Sequence, residues 1–184
     1  RGFYDIYKRN NNRITGFYGL PEFDTVSWQT DLCRKIMAKT KFPGPALFWN
    51  PGLGHLPLAL LSKAEKSDSQ PVLAGDDLLQ LKAAEYNTKS KSGFRHLKTL
   101  NHLAEFFPAL SFNSFIANPV FVTGAGVESE LMNAAGKLLK KGGILLAAGK
   151  SSDMARVVNL KKGFEIINSI KYRGFRAVLF KKLI

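Results

Sequence analysis

The sequence is poor in cysteine, in acidic residues and in long apolar runs. Cys33 is the only cysteine among 184 residues, which excludes an internal disulfide framework and a cysteine-rich zinc site. The longest apolar runs, such as Ile144–Ala148, are far shorter than the roughly 20 residues of a membrane-spanning helix. Arg1–Asp5 shows no sustained apolar stretch, so we expect no signal peptide and a cytoplasmic, reducing location without membrane contact. Because the chain begins without methionine, we expect a fragment or a processed chain.

Acidic residues are about half as numerous as basic ones. Subtracting 14 Asp and Glu from 27 Lys and Arg gives a net charge of +13 with histidine neutral. Such an excess favours a polyanionic partner, because each contact with a phosphate releases counterions from the nucleic acid. A charge that serves solubility, or that balances an acidic region of a longer chain, is the alternative.

The first twenty residues interleave aromatic and basic side chains, a mixture that suits phosphate contact and base stacking. Lys8, Arg9 and Arg13 are the residues of this segment that we assign to nucleic-acid binding. A strand hairpin packed on a domain would show the same mixture. We therefore predict an N-terminal extension or hairpin over residues 1–23 and one domain over residues 24–184.

From residue 24 onward, helical and strand patterns alternate. The predicted elements are helix Asp24–Lys41, strand Ala46–Trp49, helix Leu56–Lys63, strand Val72–Ala74, helix Leu78–Asn87, helix Asn101–Phe107, strand Ser114–Ala117, helix Glu128–Lys140, strand Ile144–Ala148, helix Ser151–Val158 and strands Phe164–Lys171 and Phe175–Lys182. This alternation predicts an α/β fold, a doubly wound and mostly parallel sheet with helices on both faces, followed by a C-terminal antiparallel hairpin. We expect glycine at Lys141-Gly142-Gly143 to end one helix and Ser151-Ser152-Asp153 to start another.

Three loops carry the candidate chemistry. Asn50–Leu56 is a glycine turn between a strand and a helix, which lets backbone approach a ligand closely. Val122–Ser129 looks like a nicotinamide-cofactor loop, but its last glycine is replaced by Ser129 and it comes late in the chain, so we disfavour an oxidoreductase. Asn118-Pro119-Val120-Phe121 follows a strand, although Asn-Pro also starts ordinary turns.

In their order and spacing, these elements resemble class I S-adenosylmethionine-dependent methyltransferases, specifically the small-domain group that methylates guanine N2 in ribosomal RNA. The resemblance runs from Gly16 to the C-terminus, and it includes Pro51–Gly54, Asn118–Phe121, Leu138–Gly143 and Gly174–Leu179. It implies a Rossmann-like fold that binds S-adenosylmethionine through four positions, namely Asn50, Gly52, Gly54 and Asp76. It also implies a catalytic loop of Asn118, Pro119 and Phe121, in which Asn118 accepts a hydrogen bond from a base amino group and Phe121 stacks on the base.

The sequence departs from the family pattern mainly around the cofactor. Asn50 replaces an acidic residue, Leu56 replaces the next glycine of the loop, and the ribose-binding acid falls on Gly75, with Asp76 directly after it. Each charge-assisted hydrogen bond from such an acid contributes roughly 1.5–3 kcal/mol, so its loss weakens binding at least tenfold. We expect Leu56 to intrude on the space of the ligand, and Asp76 to recover one contact. Val120 replaces the second proline of the catalytic loop.

Asn50 and the Gly75-Asp76 pair are similar to the inactive N-terminal copy of the tandem enzymes in this group. This resemblance implies a domain with weakened or absent cofactor binding, which binds structured ribosomal RNA and supports a catalytic partner domain or subunit. The alternative is an active RNA guanine-N2 methyltransferase that uses S-adenosylmethionine.

Basic residues are concentrated in the last third of the chain, and from this group we assign Lys161, Lys162 and Arg173 to RNA contact. A solvated basic face is the alternative. Cys33 is interpreted as a packing residue in a helix, and His55 as a surface residue of the glycine loop. The histidines lack the spacing of metal ligands, so we predict no metal site.

Overall fold

The computed structural model describes the backbone of residues 4–9, 12–63, 70–90 and 93–184, and the side chains of these ranges from Ile14 onward. In chain order the elements are β1 (Tyr4–Arg9), β2 (Asn12–Phe17), α1 (Trp28–Lys39), β3 (Ala46–Trp49), α2 (His55–Leu61), β4 (Val72–Gly75), α3 (Leu78–Thr88), β5 (Phe94–His96), α4 (Asn101–Phe106), β6 (Phe112–Ala117), α5 (Val127–Leu138), β7 (Leu139–Lys150), α6 (Ser151–Asn159), β8 (Phe164–Tyr172) and β9 (Phe175–Lys182).

Seven strands form one sheet in the order β5-β4-β3-β6-β7-β9-β8. The pairs from β5 to β7 are parallel, whereas β9 pairs antiparallel with both β7 and β8. The predicted mostly parallel sheet with a C-terminal antiparallel hairpin is confirmed. The strand order reverses between β3 and β6, and in such sheets the ligand crevice lies beyond the carboxyl ends of the strands at this point.

Alternate residues of the central strands pack on opposite faces of the sheet. Leu47 and Trp49 of β3 belong to a core with α4, α5 and α6, whereas Ala46 and Phe48 belong to a core with α1, α2 and α3. Because side chains alternate along a strand, a short apolar run buried on both faces is what a central parallel strand requires. The predicted helices on both faces are confirmed.

The N-terminal hairpin is a separate two-stranded sheet of β1 and β2. The side-chain amide of Asn87 on α3 holds β2 in place, since its Nδ2 donates to Thr15 O at 3.0 Å and its Oδ1 accepts from Thr15 N at 2.9 Å. The same Nδ2 donates to Leu53 O at 2.8 Å, so one side chain joins the hairpin to the glycine loop. The side chains of Lys8, Arg9 and Arg13 lie outside the described residues.

Two predicted element ends, those at the end of α5 and at the start of α6, are wrong. α5 ends at Leu138 and β7 begins at Leu139, so no glycine C-cap forms at residues 141–143. Leu139 pairs with Phe112 of β6, and this pairing draws the lysine-glycine segment into the strand. α6 has Lys150 at its N-cap, so Ser151 lies inside the helix and does not cap it with its side chain.

Two further elements differ from the sequence pattern. α1 begins at Trp28 rather than Asp24, because Ser27 Oγ accepts from Thr30 N at 3.2 Å and caps the helix there. β5 was not predicted, since Phe94–His96 is too short to show any alternation. Its strand geometry comes from its parallel pairing with β4.

Candidate functional site

An open cavity of about 390 Å³ lies at the carboxyl ends of the central strands. Its lining includes Asn50 and Gly52 after β3, Asn118–Phe121 after β6, and Gly149 and Lys150 at the end of β7. The structure therefore brings together five of the residues assigned to cofactor binding and catalysis, namely Asn50, Gly52, Asn118, Pro119 and Phe121. Gly54 and Asp76 do not line this cavity.

Gly54 serves the packing of the loop on α3. Its φ of +93° lies in the left-handed region, which favours glycine, and a Cβ here would lie 3.3 Å from Ala84 Cα and from Thr88 Cγ2. The loop thus approaches α3 as closely as a glycine allows.

The two residues that follow Gly54 point away from the cavity. Leu56 is 5% exposed and packs in the core between the sheet and α1–α3, so the expectation that it intrudes on the ligand is wrong. His55 is also 5% exposed and lines a second cavity of about 370 Å³ with residues of α1 and α2. The expectation of a surface histidine is wrong, because α2 begins at His55 and turns both side chains inward.

Asn50 and Gly75 fit together at the ends of β3 and β4. Asn50 is buried, with a positive φ of +51°, and its Oδ1 accepts from Asp76 N at 3.0 Å. A Cβ at Gly75 would lie 2.5 Å from that same Oδ1, which is closer than real Cβ contacts come. The amide of Asn50 therefore occupies the space that a side chain at position 75 would need.

Neither of the two acids after Gly75 lines the cavity. Asp77 caps α3, since its Oδ1 accepts from Leu79 N at 2.9 Å and from Gln80 N at 3.1 Å. Asp76 is exposed, and the described contacts of its backbone are those to Asn50 and to His96 Nε2, which lies 3.2 Å from Asp76 O. No carboxylate from the end of β4 lines the cavity among the described residues.

The Asn118–Phe121 loop keeps a polar group and an aromatic wall in the cavity. The backbone N of Asn118 donates to Trp49 O at 3.0 Å, and Pro119 is buried, so the loop is fixed to β3. Within the described ranges, the side-chain amide of Asn118 has no hydrogen-bond partner. Phe121 rests on Gly149, where a Cβ would lie 2.8 Å from Phe121 Cε2. The arrangement offers one amide and one ring to a ligand.

Glu22 is a cavity residue that the motifs did not indicate. It lies in the segment before α1, its Oε1 accepts from Ser27 N at 2.8 Å, and its Oε2 would be 3.2 Å from a Cβ at Gly52. A carboxylate thus lies over the glycine loop and disfavours an anionic group there. No sequence signal relates Glu22 to Gly52, because only the folding of the N-terminal segment brings them together.

Cys33 is a packing residue, as predicted. It is 2% exposed on α1, and burial, with a smaller contribution from the Glu22 carboxylate, raises the pKa of its thiol from 9.0 to about 12. No three His, Cys, Asp or Glu side chains of the described chain form a group that would hold a metal ion. Of the helices described, none has the length and apolar character to cross a membrane.

The basic residues assigned to RNA in the last third of the chain lie at opposite ends of the edge strand β8. Lys161 and Lys162 are exposed in the loop before β8, near the amino ends of the parallel strands. Arg173 is exposed in the turn after β8, beside the carboxyl end of β7. Nine residues of β8 separate the two positions, which corresponds to about 30 Å at about 3.4 Å per residue. The structure does not bring these three residues together.

No family model and no curated protein sequence matches the chain. Among solved structures, the chain is similar to the T. thermophilus 16S rRNA N2 methyltransferase RsmC, solved in complex with AdoMet and guanosine. The TM-score is 0.68 and the identity 14%, over 99% of this chain and 51% of that one. The chain therefore spans about half the length of that enzyme.

Two further structures show the same likeness. A ribosomal protein L11 methylase from Lactobacillus delbrueckii subsp. bulgaricus matches with a TM-score of 0.65 and 15% identity, over 86% of this chain and 81% of that one. TrmN from Thermus thermophilus matches with a TM-score of 0.63 and 19% identity, over 84% of this chain and 48% of that one. The structure thus has the Rossmann-like α/β fold of class I S-adenosylmethionine-dependent methyltransferases.

Proposed function

We propose that this chain is an RNA-binding domain of methyltransferase fold whose cofactor-binding half is weakened and whose base-binding loop is kept. The observation that carries the proposal is the contact between Asn50 and Gly75. A side chain at position 75 would meet the Asn50 amide, so the place of the ribose-binding acid is filled by the protein itself.

The residues present do not fit S-adenosylmethionine well. The ribose hydroxyls lack a carboxylate from the end of β4, and the Glu22 carboxylate lies over Gly52. Without two charge-assisted hydrogen bonds, an affinity in the micromolar range falls to about millimolar or weaker. We therefore derive no methyl transfer from this cavity.

The other half of the cavity suits a nucleobase with an exocyclic amino group. The Asn118 side-chain oxygen is an acceptor that no described residue uses, and Phe121 supplies a half-buried ring beside it. Together with the net charge of +13, these groups support an unpaired base of structured, ribosomal RNA as the ligand. The chain spans half of the similar rRNA enzyme, which leaves room for a catalytic partner domain or subunit as a further part of this proposal.

Calorimetric titration with S-adenosylmethionine tests the cofactor half. We expect the unaltered protein to bind more weakly than about 1 mM. The double variant Asn50→Gly, Gly75→Asp removes the obstructing amide and adds the carboxylate, so its affinity should rise at least about tenfold. The matched control Asn50→Gly, Gly75→Asn has the same shape without the charge and should not gain. Micromolar binding by the unaltered protein would reject the proposal of a weakened cofactor site.

Filter binding with structured ribosomal RNA tests the RNA half. We expect the affinity to fall steeply with rising salt, because phosphate contacts release counterions. Binding that is absent, or constant with salt, would reject an RNA function.

The alternative, an active RNA guanine-N2 methyltransferase, is favoured by the unengaged amide of Asn118 in the cavity. Transfer of a labelled methyl group from S-adenosylmethionine to an unpaired guanine would establish it. Loss of that transfer in Asn118→Ala, with stability unchanged, would assign the amide its role.

A further inference from the structure

Four side chains form an exposed group of aromatic rings and cations beside the carboxyl ends of the parallel strands. The rings of Trp28 and Tyr172 lie 5.2 Å apart, and the Arg173 guanidinium lies 5.1 Å from the Trp28 centroid and 5.5 Å from the Tyr172 centroid. Lys35 Nζ lies 5.7 Å from the Tyr172 centroid. Trp28 is 40% exposed and Tyr172 is 43% exposed, so both rings keep open surface.

This group adjoins the mouth of the cavity. Trp28 stands between Ser27 and Gln29, and both of these line the cavity. Tyr172 and Arg173 belong to the hairpin between β8 and β9. In its turn, Gly174 O accepts from Ser151 N at 2.8 Å, which fixes the turn next to the cavity residue Lys150. The start of α1 and the hairpin turn after β8 therefore both flank the cavity.

The turn gives Arg173 a backbone conformation that its side chain does not favour. Arg173 and Gly174 have φ values of +46° and +79°, which define the two-residue hairpin turn in which Asn-Gly is preferred. Arginine costs about 1 kcal/mol or more in this region. Among the described residues, none accepts a hydrogen bond from the guanidinium, so its donors remain available to a ligand.

We infer that Trp28, Tyr172 and Arg173 form a stacking clamp for an unpaired nucleotide of a single-stranded RNA segment at the mouth of the cavity. The inference rests on the proposed RNA function and adds the form of RNA that is bound. Exposed aromatic rings stack on bases of any sequence, while Arg173 supplies positive charge for an adjoining phosphate. Lys35 is paired with Asp31 at 3.1 Å and is not counted as a phosphate contact. A double helix would keep its bases from the rings, so the clamp selects unpaired RNA.

Tryptophan fluorescence measures the clamp directly. The protein has two tryptophans, of which Trp49 is 2% exposed in the core and Trp28 is at the clamp. Titration with a single-stranded RNA of about eight nucleotides should quench the Trp28 emission. An abasic strand of the same length, which has the phosphates without the bases, should give little quenching. Equal quenching by both strands would overturn the inference.

Two variants separate the clamp from the rest of the basic surface. Trp28→Leu should weaken single-stranded binding about fivefold or more, because stacking on one ring contributes substantially. Arg173→Asn suits the turn better than arginine and should not impair folding. It should lower the slope of log affinity against log salt by about 0.7, the contribution of one phosphate contact.

Matched controls lie away from this edge. Tyr86→Leu removes a more exposed ring from α3, and Lys141→Asn removes an exposed charge near the amino end of β7. Both should leave the affinity within about twofold. If Lys141→Asn weakens binding while Trp28→Leu and Arg173→Asn do not, the clamp is rejected and the RNA function stands. If no RNA binds at all, the proposed function itself fails.

Discussion

Replacing Gly75 by alanine tests the contact on which the functional proposal depends. The new Cβ would lie 2.5 Å from Asn50 Oδ1, and the next nearest atoms are Asn50 N at 3.3 Å and Asn50 Cα at 3.4 Å. The amide must therefore move, and it loses its 3.0 Å hydrogen bond from Asp76 N. Gly75 itself does not have a positive φ, so alanine has no conformational penalty of its own there.

The expected cost follows from the burial of Asn50, which is 5% exposed. A buried acceptor that loses its partner costs about 1–3 kcal/mol. For a chain of this size, a loss of about 2 kcal/mol lowers Tm by about 4–8 °C. In an Asn50→Gly background the amide is absent, and glycine tolerates the φ of +51° at position 50. There, Gly75→Ala should be neutral or stabilising by up to about 1 kcal/mol, because alanine restricts the unfolded chain.

Urea denaturation of the four members of this double-mutant cycle gives the coupling free energy. We expect it to be about 1–3 kcal/mol. If Gly75→Ala destabilises the protein equally with and without the Asn50 side chain, the amide does not exclude a side chain at position 75. The side chain of Asn50 would then not fill the position of the ribose-binding acid.

Three further predictions concern stability. Asn87→Ala removes three hydrogen bonds and should speed hydrogen exchange at Thr15 in β2, as measured by NMR or mass spectrometry. Burial raises the pKa of the Cys33 thiol from 9.0 to about 12, so the unfolded chain loses this proton at a lower pH than the folded chain. The free energy of unfolding should therefore fall by up to about 1.4 kcal/mol per pH unit between these two values. This fall should be absent in Cys33→Ala. Lys182→Met should cost about 1–3 kcal/mol in urea denaturation, since Lys182 Nζ donates to Gly136 O at 2.6 Å and to Leu139 O at 2.8 Å.

Each of these predictions has its own contrary outcome. Gln80→Ala, on the same helix as Asn87, should leave exchange in β2 unchanged; equal acceleration by both variants would mean that Asn87 has no special role. Parallel pH profiles of the unaltered protein and Cys33→Ala would show that the thiol ionises alike in the folded and unfolded chain. An unchanged stability of Lys182→Met would mean that the two carbonyl groups find other donors.

Local pattern predicted most of the sheet and its helices. Phe175–Lys182 is found as predicted, because the alternation and the glycine turn before it are both local. β5 could not be predicted, since three residues show no period and their geometry depends on β4. The end of α5 was wrong because pairing of Leu139 with Phe112 outweighs a local glycine cap.

From the sequence, the loops of the candidate site could be predicted, but not how their side chains are arranged in space. The sequence indicated Asn50, Gly52, Asn118, Pro119 and Phe121, and these residues line one cavity because parallel strands end at one edge. It did not indicate Glu22, whose carboxylate reaches Gly52 from the segment before α1. It also misplaced Leu56, since whether a side chain faces the core or the ligand depends on where α2 begins.

By itself, the sequence determined the order of most strands and helices, the excess of positive charge and the exclusion of an internal disulfide, because periodicity and composition are properties of neighbouring residues and of sums. The tertiary structure alone decided that the amide of Asn50 fills the place beside Gly75, although 26 positions separate Asn50 from its partner Asp76. It also decided that Arg173 lies over Trp28 at one end of β8 while Lys161 and Lys162 lie at the other end. These distances depend on how strands pair and helices cross the sheet, which no local pattern encodes.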